Sequence, residues 1–98
     1  MAAVAHTWEP LDPEARRRFF TDDGRLRDIP RKHAKLLAVL DHVAQAFELG
    51  RVYPEREVDE ILRGFHPDHA ALRRYLVDEA FLTRDGGHYW RSGGTVTL

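Results

Sequence analysis

Apolar residues recur at helical spacing through the middle of the chain. The clearest stretch covers residues 31–50, where six of them fall on one face of a helix and Gly50 supplies a natural stop. Polar residues of this stretch, Asp41 among them, are expected to lie largely off that face. The apolar face consists of Leu36, Leu37, Leu40, Val43, Ala44 and Phe47.

Two shorter helices are predicted to follow, separated by a tight turn. Pro54 opens the first and Gly64 ends it, while the second spans 67–79 with Asp68 as a candidate N-cap. Because the connection is so short, the two helices must pack at an angle, as in a helix-turn-helix. Their apolar stripes are Val58, Ile61, Leu62 and Phe65 in the first helix, and Leu72 and Leu76 in the second.

Turn and strand signals complete the pattern at both ends of the chain. Asp12 followed by Pro13 is typical of a helix start, and this N-terminal helix is predicted to run to about Phe20. The sequence Asp-Gly-Gly at 85–87, between two extended pieces, predicts a β-hairpin over 81–91. The extended segment 51–53 is expected to pair beside the hairpin as a third strand.

This order of elements predicts an α+β fold of the winged helix-turn-helix type. Three core helices are joined by an N-terminal helix and by a C-terminal β-hairpin that forms the wing. Residues 13–98 are predicted to form a single winged-helix-like domain behind a flexible N-terminal tail, 1–12.

Composition narrows the class of protein further. The 98 residues are 43% hydrophobic and include no cysteine, which excludes disulfides, thiol chemistry and cysteine-based zinc sites. The N-terminus has neither the basic region nor the apolar region of a signal peptide. No apolar run approaches the ~20 residues of a membrane span, so a cytoplasmic location without membrane contact is expected.

The charge balance argues against strong nonspecific binding to nucleic acid. The chain has 15 Lys and Arg against 16 Asp and Glu, and residues 1–50 contain eight of each sign. Nucleic-acid binders usually carry a clear basic excess. Affinity for DNA would therefore depend on where the arginines cluster in space.

Three segments together resemble a prokaryotic family of unknown function, numbered 2087. They read "DGRLRDIPRKHAKLLAVLDHVAQAF", "VYPEREVDEIL" and "HPDHAALRRYLVDEAFLTRDGGHYW", and the resemblance covers roughly residues 19–91. Members of that family occur alone or joined to a helix-turn-helix domain of the arsenic-repressor type. The resemblance implies a winged-helix-like domain linked to transcriptional regulation.

The leading functional hypothesis is that the third helix and the wing bind double-stranded DNA. In such folds the helix after the turn enters the major groove, and arginines read guanine edges or contact phosphate. The predicted DNA-binding residues are His69, Arg73 and Arg74 on the third helix, and Arg84, His88 and Arg91 on the wing.

An alternative assigns the arginines a structural role. Arg73 or Arg74 would then pair with acids such as Asp78, Glu57, Asp59 or Glu60 and fix the packing of the helices. In that case the domain is a winged-helix protein-interaction module that does not contact DNA. A protein partner would dock on aromatic anchors drawn from Trp8, Tyr75 and Trp90, although packing in the core or the wing is the favoured role of Trp90. A homodimer would form through the N-terminal helix or the wing.

Metal binding and catalysis have weaker signals. His66, Asp68 and His69 are closely spaced, with His88 as a further ligand candidate, but two histidines without a stronger ligand set are a weak metal motif. They are more simply interpreted as turn and helix-start residues. The chain has no glycine-rich phosphate loop and no nucleophile beside a base, so we predict no enzyme activity, cofactor or metal.

Overall fold

The computed structural model describes residues 10–96, and within that range the chain forms four helices and a three-stranded antiparallel sheet. None of these helices is long and apolar enough to cross a membrane. In chain order the elements are α1 (Pro13–Phe19), α2 (His33–Ala44), β1 (Val52–Pro54), α3 (Glu55–Arg63), α4 (His69–Asp78), β2 (Leu82–Asp85) and β3 (His88–Arg91).

The first helix begins where the sequence predicts. The Asp12 carboxylate accepts a hydrogen bond of 2.7 Å from the amide of Ala15, which confirms the predicted N-cap. The helix ends at Phe19, because Phe20 is extended and forms an antiparallel bridge with Leu26. This bridge folds the following segment back onto α1.

The second helix is shorter than the predicted 31–50, although its apolar face is correct. All six predicted residues of that face are buried. After Ala44 the amides of Gln45, Ala46 and Phe47 donate to carbonyls three residues earlier, at 3.2, 3.0 and 3.0 Å. The helix therefore tightens at its end, and this tight turn still carries Phe47 into the core.

Helices α3 and α4 are joined by residues 64–68 and pack against each other. The Asp68 carboxylate accepts from the amide of Ala71 at 3.1 Å, which confirms the predicted N-cap of α4. Val58 and Leu62 of α3 are buried, as are Leu72 and Leu76 of α4. The predicted pair of helices around a tight turn is therefore present.

The sheet confirms the predicted hairpin and the predicted third strand. Gly86 and Gly87 connect β2 to β3 with φ values of 57° and 80°, which is the two-residue turn geometry that matches the twist of paired strands. Strand β1 pairs with the other edge of β3, giving the order β1-β3-β2. Tyr53 and Tyr89 lie opposite each other on the buried face of the sheet.

Two charged residues that were predicted near the surface are buried. Asp41, expected off the apolar face of α2, is only 4% exposed and accepts hydrogen bonds from the amide of Thr95 at 2.6 Å and its hydroxyl at 2.9 Å. It follows Leu37 by four residues and precedes Ala44 by three, so it lies at the edge of the buried face. Thr95, near the C-terminus, lies over it and makes it inaccessible.

The prediction that Arg91 is exposed on the wing is wrong, because this residue is buried. Successive side chains of a strand point to opposite faces, so Arg91 shares the inward face of β3 with Tyr89. Its guanidinium donates to the carbonyls of Phe47, Gly93 and Thr95, at 3.2, 3.0 and 2.8 Å. Arg91 thus links the C-terminal segment and the tight turn after α2 to the sheet by hydrogen bonds.

We predict that Asp41→Ala lowers the free energy of unfolding by about 2 kcal/mol, because the partly buried amide and hydroxyl of Thr95 lose their acceptor. Urea denaturation followed by circular dichroism measures the change. Glu60→Ala, at an exposed position of α3, is the matched loss of one carboxylate and should change stability by less than about 0.5 kcal/mol. Equal effects of the two variants would contradict the assigned role of Asp41.

The junction between α4 and the hairpin contains a backbone conformation that an alanine adopts at a cost. Ala80 has a φ of 63°, in the left-handed region, and the amide of Phe81 reaches back to the carbonyl of Leu76 at 2.8 Å. This is the helix-ending motif in which glycine usually occupies the left-handed position. The turn sets the direction in which the chain enters the hairpin.

Replacing Ala80 by glycine is expected to raise the free energy of unfolding by about 0.5–1 kcal/mol, because the relief of left-handed strain exceeds the added freedom of the unfolded chain. Thermal or urea denaturation provides the measurement. The same change at Ala71, inside α4, should act in the opposite direction by a similar amount. Destabilisation by both variants would show that Ala80 is not strained.

Candidate functional site

An open cleft of about 360 Å³ separates α4 from the β-hairpin. It collects residues from the two elements that the sequence assigned to DNA recognition. We call it the α4–hairpin cleft. Its lining residues are Ala70, Arg73, Arg74, Val77 and Asp78 from α4, and Arg84 and Tyr89 from the hairpin.

Arg73 is engaged inside this cleft by acids of α3. Its guanidinium forms an ion pair and hydrogen bond with Asp59, and its Nε lies 3.9 Å from Glu55. Glu55 also accepts a hydrogen bond of 2.6 Å from the Tyr89 hydroxyl. Four side chains from α3, α4 and β3 therefore form one network, in which Asp59 was a predicted partner and Tyr89 was not.

The pKa values of Arg73 and Tyr89 are both raised, which keeps each side chain in the protonated form that the network requires. Burial acts to lower the pKa of Arg73, but the hydrogen bond and the charge of Asp59 outweigh it, so the pKa is raised. Burial and the hydrogen bond to Glu55 both raise the pKa of the Tyr89 hydroxyl. Arg73 stays charged, and Tyr89 stays a neutral donor.

Four of the six predicted DNA-binding residues remain at the surface. Arg74 and Arg84 are exposed on opposite walls of the α4–hairpin cleft, and His88 is exposed on β3 beside the turn. His69 is half-buried at the first turn of α4. The guanidinium of Arg74 lies 5.5 Å from the ring centre of Tyr75, which leaves its donors free for another partner.

Exposed charge on this face is nearly balanced. Asp78 lines the cleft beside Arg74, and Asp85 follows Arg84 on the hairpin. Helix α3, which borders the network, carries four acidic residues and two arginines. The face therefore lacks the continuous positive surface that tight phosphate binding needs.

The histidines near the turn act as local structural groups. The Nδ1 of His66 accepts from the amide of Asp68 at 3.0 Å, and the Nδ1 of His69 lies 3.3 Å from the carbonyl of Pro67. His88 makes the same kind of contact with Gly86 at the hairpin turn. In residues 10–96 no three histidine or acidic side chains are grouped so that they could hold a metal ion.

Of the three predicted aromatic anchors, two lie within the described residues, and both are half-buried. Tyr75 is half-buried and packs against the core, and Trp90 is half-buried on the outer face of β3, opposite Val52 and Thr83. Trp8 lies outside the described residues. Neither described ring is a fully exposed anchor.

The fold and the cleft define a small α+β protein in which a pair of helices around a tight turn is backed by a three-stranded sheet with a projecting hairpin. The chain belongs to the family described as uncharacterized protein conserved in bacteria (DUF2087), whose model matches residues 25–91. The resemblance predicted from the sequence is thereby confirmed, over a slightly shorter range. No curated protein and no solved structure matches the chain.

We predict that Arg73→Ala lowers the free energy of unfolding by about 1–2 kcal/mol, since its partly buried acidic partners lose their cation. A double-mutant cycle with Asp59→Ala should give a coupling energy of about 1 kcal/mol. Arg74→Ala, one residue further along α4 and exposed, removes the same charge and should cost less than about 0.5 kcal/mol. Urea denaturation of the four proteins of the cycle and of the Arg74→Ala control is the measurement, and additive effects at Arg73 and Asp59 would contradict the pairing.

Proposed function

We propose that the chain is a bacterial DNA-binding module of the winged-helix type, with α4 as the helix that enters the major groove and the β2–β3 hairpin as the wing. The element order and the strand order β1-β3-β2 support this assignment. The observation that carries it is the placement of Arg74 and Arg84. They are exposed on the two walls of one cleft, one on the reading helix and one on the wing.

The proposed set of contacts is smaller than the sequence alone suggested. Arg74 and Arg84 serve as the phosphate or base contacts, with His69 and His88 at the ends of the same surface. Arg73 acts as a positioning residue, because its charge is used by Asp59 and Glu55. With so few free cations, the module would bind DNA weakly as a single copy and would depend on salt.

The double variant Arg74→Ala/Arg84→Ala is expected to weaken binding to duplex DNA and to lower the slope of log K against log salt by about 2. Fluorescence anisotropy with a labelled mixed-sequence duplex, between about 50 and 200 mM salt, gives both quantities. Arg63→Ala removes an exposed arginine from α3 that does not line the cleft, and it is the matched control. The DNA proposal is abandoned if the unmodified chain binds no duplex at the lowest salt, or if the control weakens binding equally.

A second candidate function is supported by the ion pairs of Arg73. An arginine at the centre of the reading helix that is held by two acids, beside an acidic α3, fits a winged helix that binds protein and not phosphate. A second copy of this chain is the partner that can be tested directly. Concentration-dependent sedimentation that Arg84→Glu abolishes, together with no DNA binding, would favour this function.

A further inference from the structure

A second cleft, of about 400 Å³, lies between α1, the segment that follows it and the start of α2. It shares no lining residue with the α4–hairpin cleft, so a ligand bound there would be separate from the proposed DNA contact. We call it the basic cleft. Its five cationic lining residues are Arg18, Arg27, Arg31, Lys32 and Lys35.

Positive charge is concentrated around the basic cleft to a degree that the net charge conceals. Residues 16–35 hold eight Lys and Arg against three Asp, a net charge of +5. The rest of the chain holds seven basic and thirteen acidic residues, a net charge of −6. These two charges sum to the net charge of −1, so the nearly neutral total combines a basic segment with an acidic remainder.

The cations of the basic cleft are not neutralised by neighbouring acids. In the part of the chain that the structure describes, every ion pair involves His33, Arg51 or Arg73, and none includes a cation of this cleft. Asp28 is the one carboxylate among the lining residues. The cluster therefore repels itself unless an anion from outside occupies it.

The start of α2 adds to this imbalance. Lys32 occupies the N-cap position without a side-chain hydrogen bond to the helix, and the first turn contains no acidic residue. Cations at this end oppose the positive end of the helix dipole, where proteins usually place acids or caps. An anion between α2 and the cluster would compensate both charges at once.

The walls of the cleft are fixed by backbone hydrogen bonds. The amide of Arg27 donates to the carbonyl of Phe19 at 2.8 Å, and the amide of Leu26 donates to that of Phe65 at 2.7 Å. Phe19 and Pro30 are half-buried and give the cleft an apolar surface beside its charges. A concave site of this size with apolar and polar parts suits a small ligand.

We propose that the basic cleft binds an organic polyphosphate of nucleotide size. Its phosphates lie among the five cations and its ring lies against Phe19 and Pro30, while Asp28 accepts a hydrogen bond from a hydroxyl or amino group of the ligand. An extended nucleic-acid backbone would use the cations but would leave the apolar surface and Asp28 without a role.

The test uses the full chain with ADP and with inorganic pyrophosphate. Both should raise Tm in a concentration-dependent way, because they bind the folded state only. Lys32→Gln/Lys35→Gln should weaken both ligands by about tenfold or more in calorimetric titration. Phe19→Leu keeps an apolar side chain but removes the ring, so it should weaken ADP and leave pyrophosphate unchanged.

Two controls separate ligand binding from folding and from screening. The Lys32→Gln/Lys35→Gln protein should be at least as stable as the unmodified chain without ligand, because it relieves repulsion at the start of α2. Arg56→Gln/Arg63→Gln removes two exposed charges from α3 and should leave both affinities unchanged.

The proposal is overturned by an equal rise of Tm with sodium chloride of the same ionic strength, or by equal affinities in the two double variants. Binding of a mixed-sequence duplex that Lys32→Gln/Lys35→Gln weakens, without binding of ADP, would also overturn it, and would identify the cleft as a contact for nucleic-acid backbone. Loss of ADP binding alone in Phe19→Leu supports the placement of the ring, and an unchanged ADP affinity refutes it. These outcomes do not depend on Arg74 or Arg84, so the proposed DNA contact can fail independently.

Discussion

The packing of α3, α4 and the sheet around the α4–hairpin cleft depends on the ion pairs of the Arg73 guanidinium. It joins α4 to Asp59 and Glu55 of α3, and Glu55 in turn accepts from Tyr89 of β3. The two helices and the sheet therefore share one polar contact at the wall of the cleft between α4 and the hairpin. Because Asp59 and Glu55 lie on α3 at helical spacing, the contact also fixes the rotation of α3 against α4.

The ion pairs of Arg73 limit the positive charge that α4 can present to DNA. An arginine that holds two carboxylates in place contributes little positive potential to an approaching phosphate. The most central cation of the predicted reading helix is thus lost to DNA, and the proposed contact rests on Arg74 and Arg84. The interaction that packs α4 against α3 therefore also reduces the positive charge that α4 presents, and this reduction supports the second candidate function, in which this surface binds a protein.

Much of the fold was predictable because it follows from local rules. Asp12 and Asp68 cap helices as expected, the two glycines after Asp85 form the hairpin turn, and the apolar face of α2 is the buried one. Asp41 and Arg91 were misplaced because their burial depends on residues distant in sequence. Asp41 accepts from Thr95, and Arg91 donates to Phe47, which are contacts between parts of the chain far apart in sequence.

The site was less predictable than the fold for the same reason. The possible pairing of Arg73 with Asp59 followed from the acids of α3, but the role of Tyr89 required knowledge of which face of β3 points inward. The basic cleft was missed because its cations come from α1, the segment after it and the start of α2, which only the fold brings together. A division of the chain at residue 50 also gives equal charges in the first half, where acids near both ends hide the excess in 16–35.

The arginines of this chain differ in whether other groups of the protein already accept their hydrogen bonds or pair with their charge. Arg25, Arg73 and Arg91 donate to carbonyls or carboxylates of distant elements and so stabilise the fold. Arg74, Arg84 and the cations of the basic cleft have no ion-pair partner within residues 10–96 and are exposed, although Arg27 also donates to the carbonyl of Arg17 at 3.4 Å. Desolvated charge must be satisfied inside the protein, whereas exposed and unpaired charge at a concave surface lowers its energy most by meeting an anion. Five of these cations surround the basic cleft and two line the α4–hairpin cleft, so the greater number lie at the cleft that the helix-turn-helix pattern does not indicate.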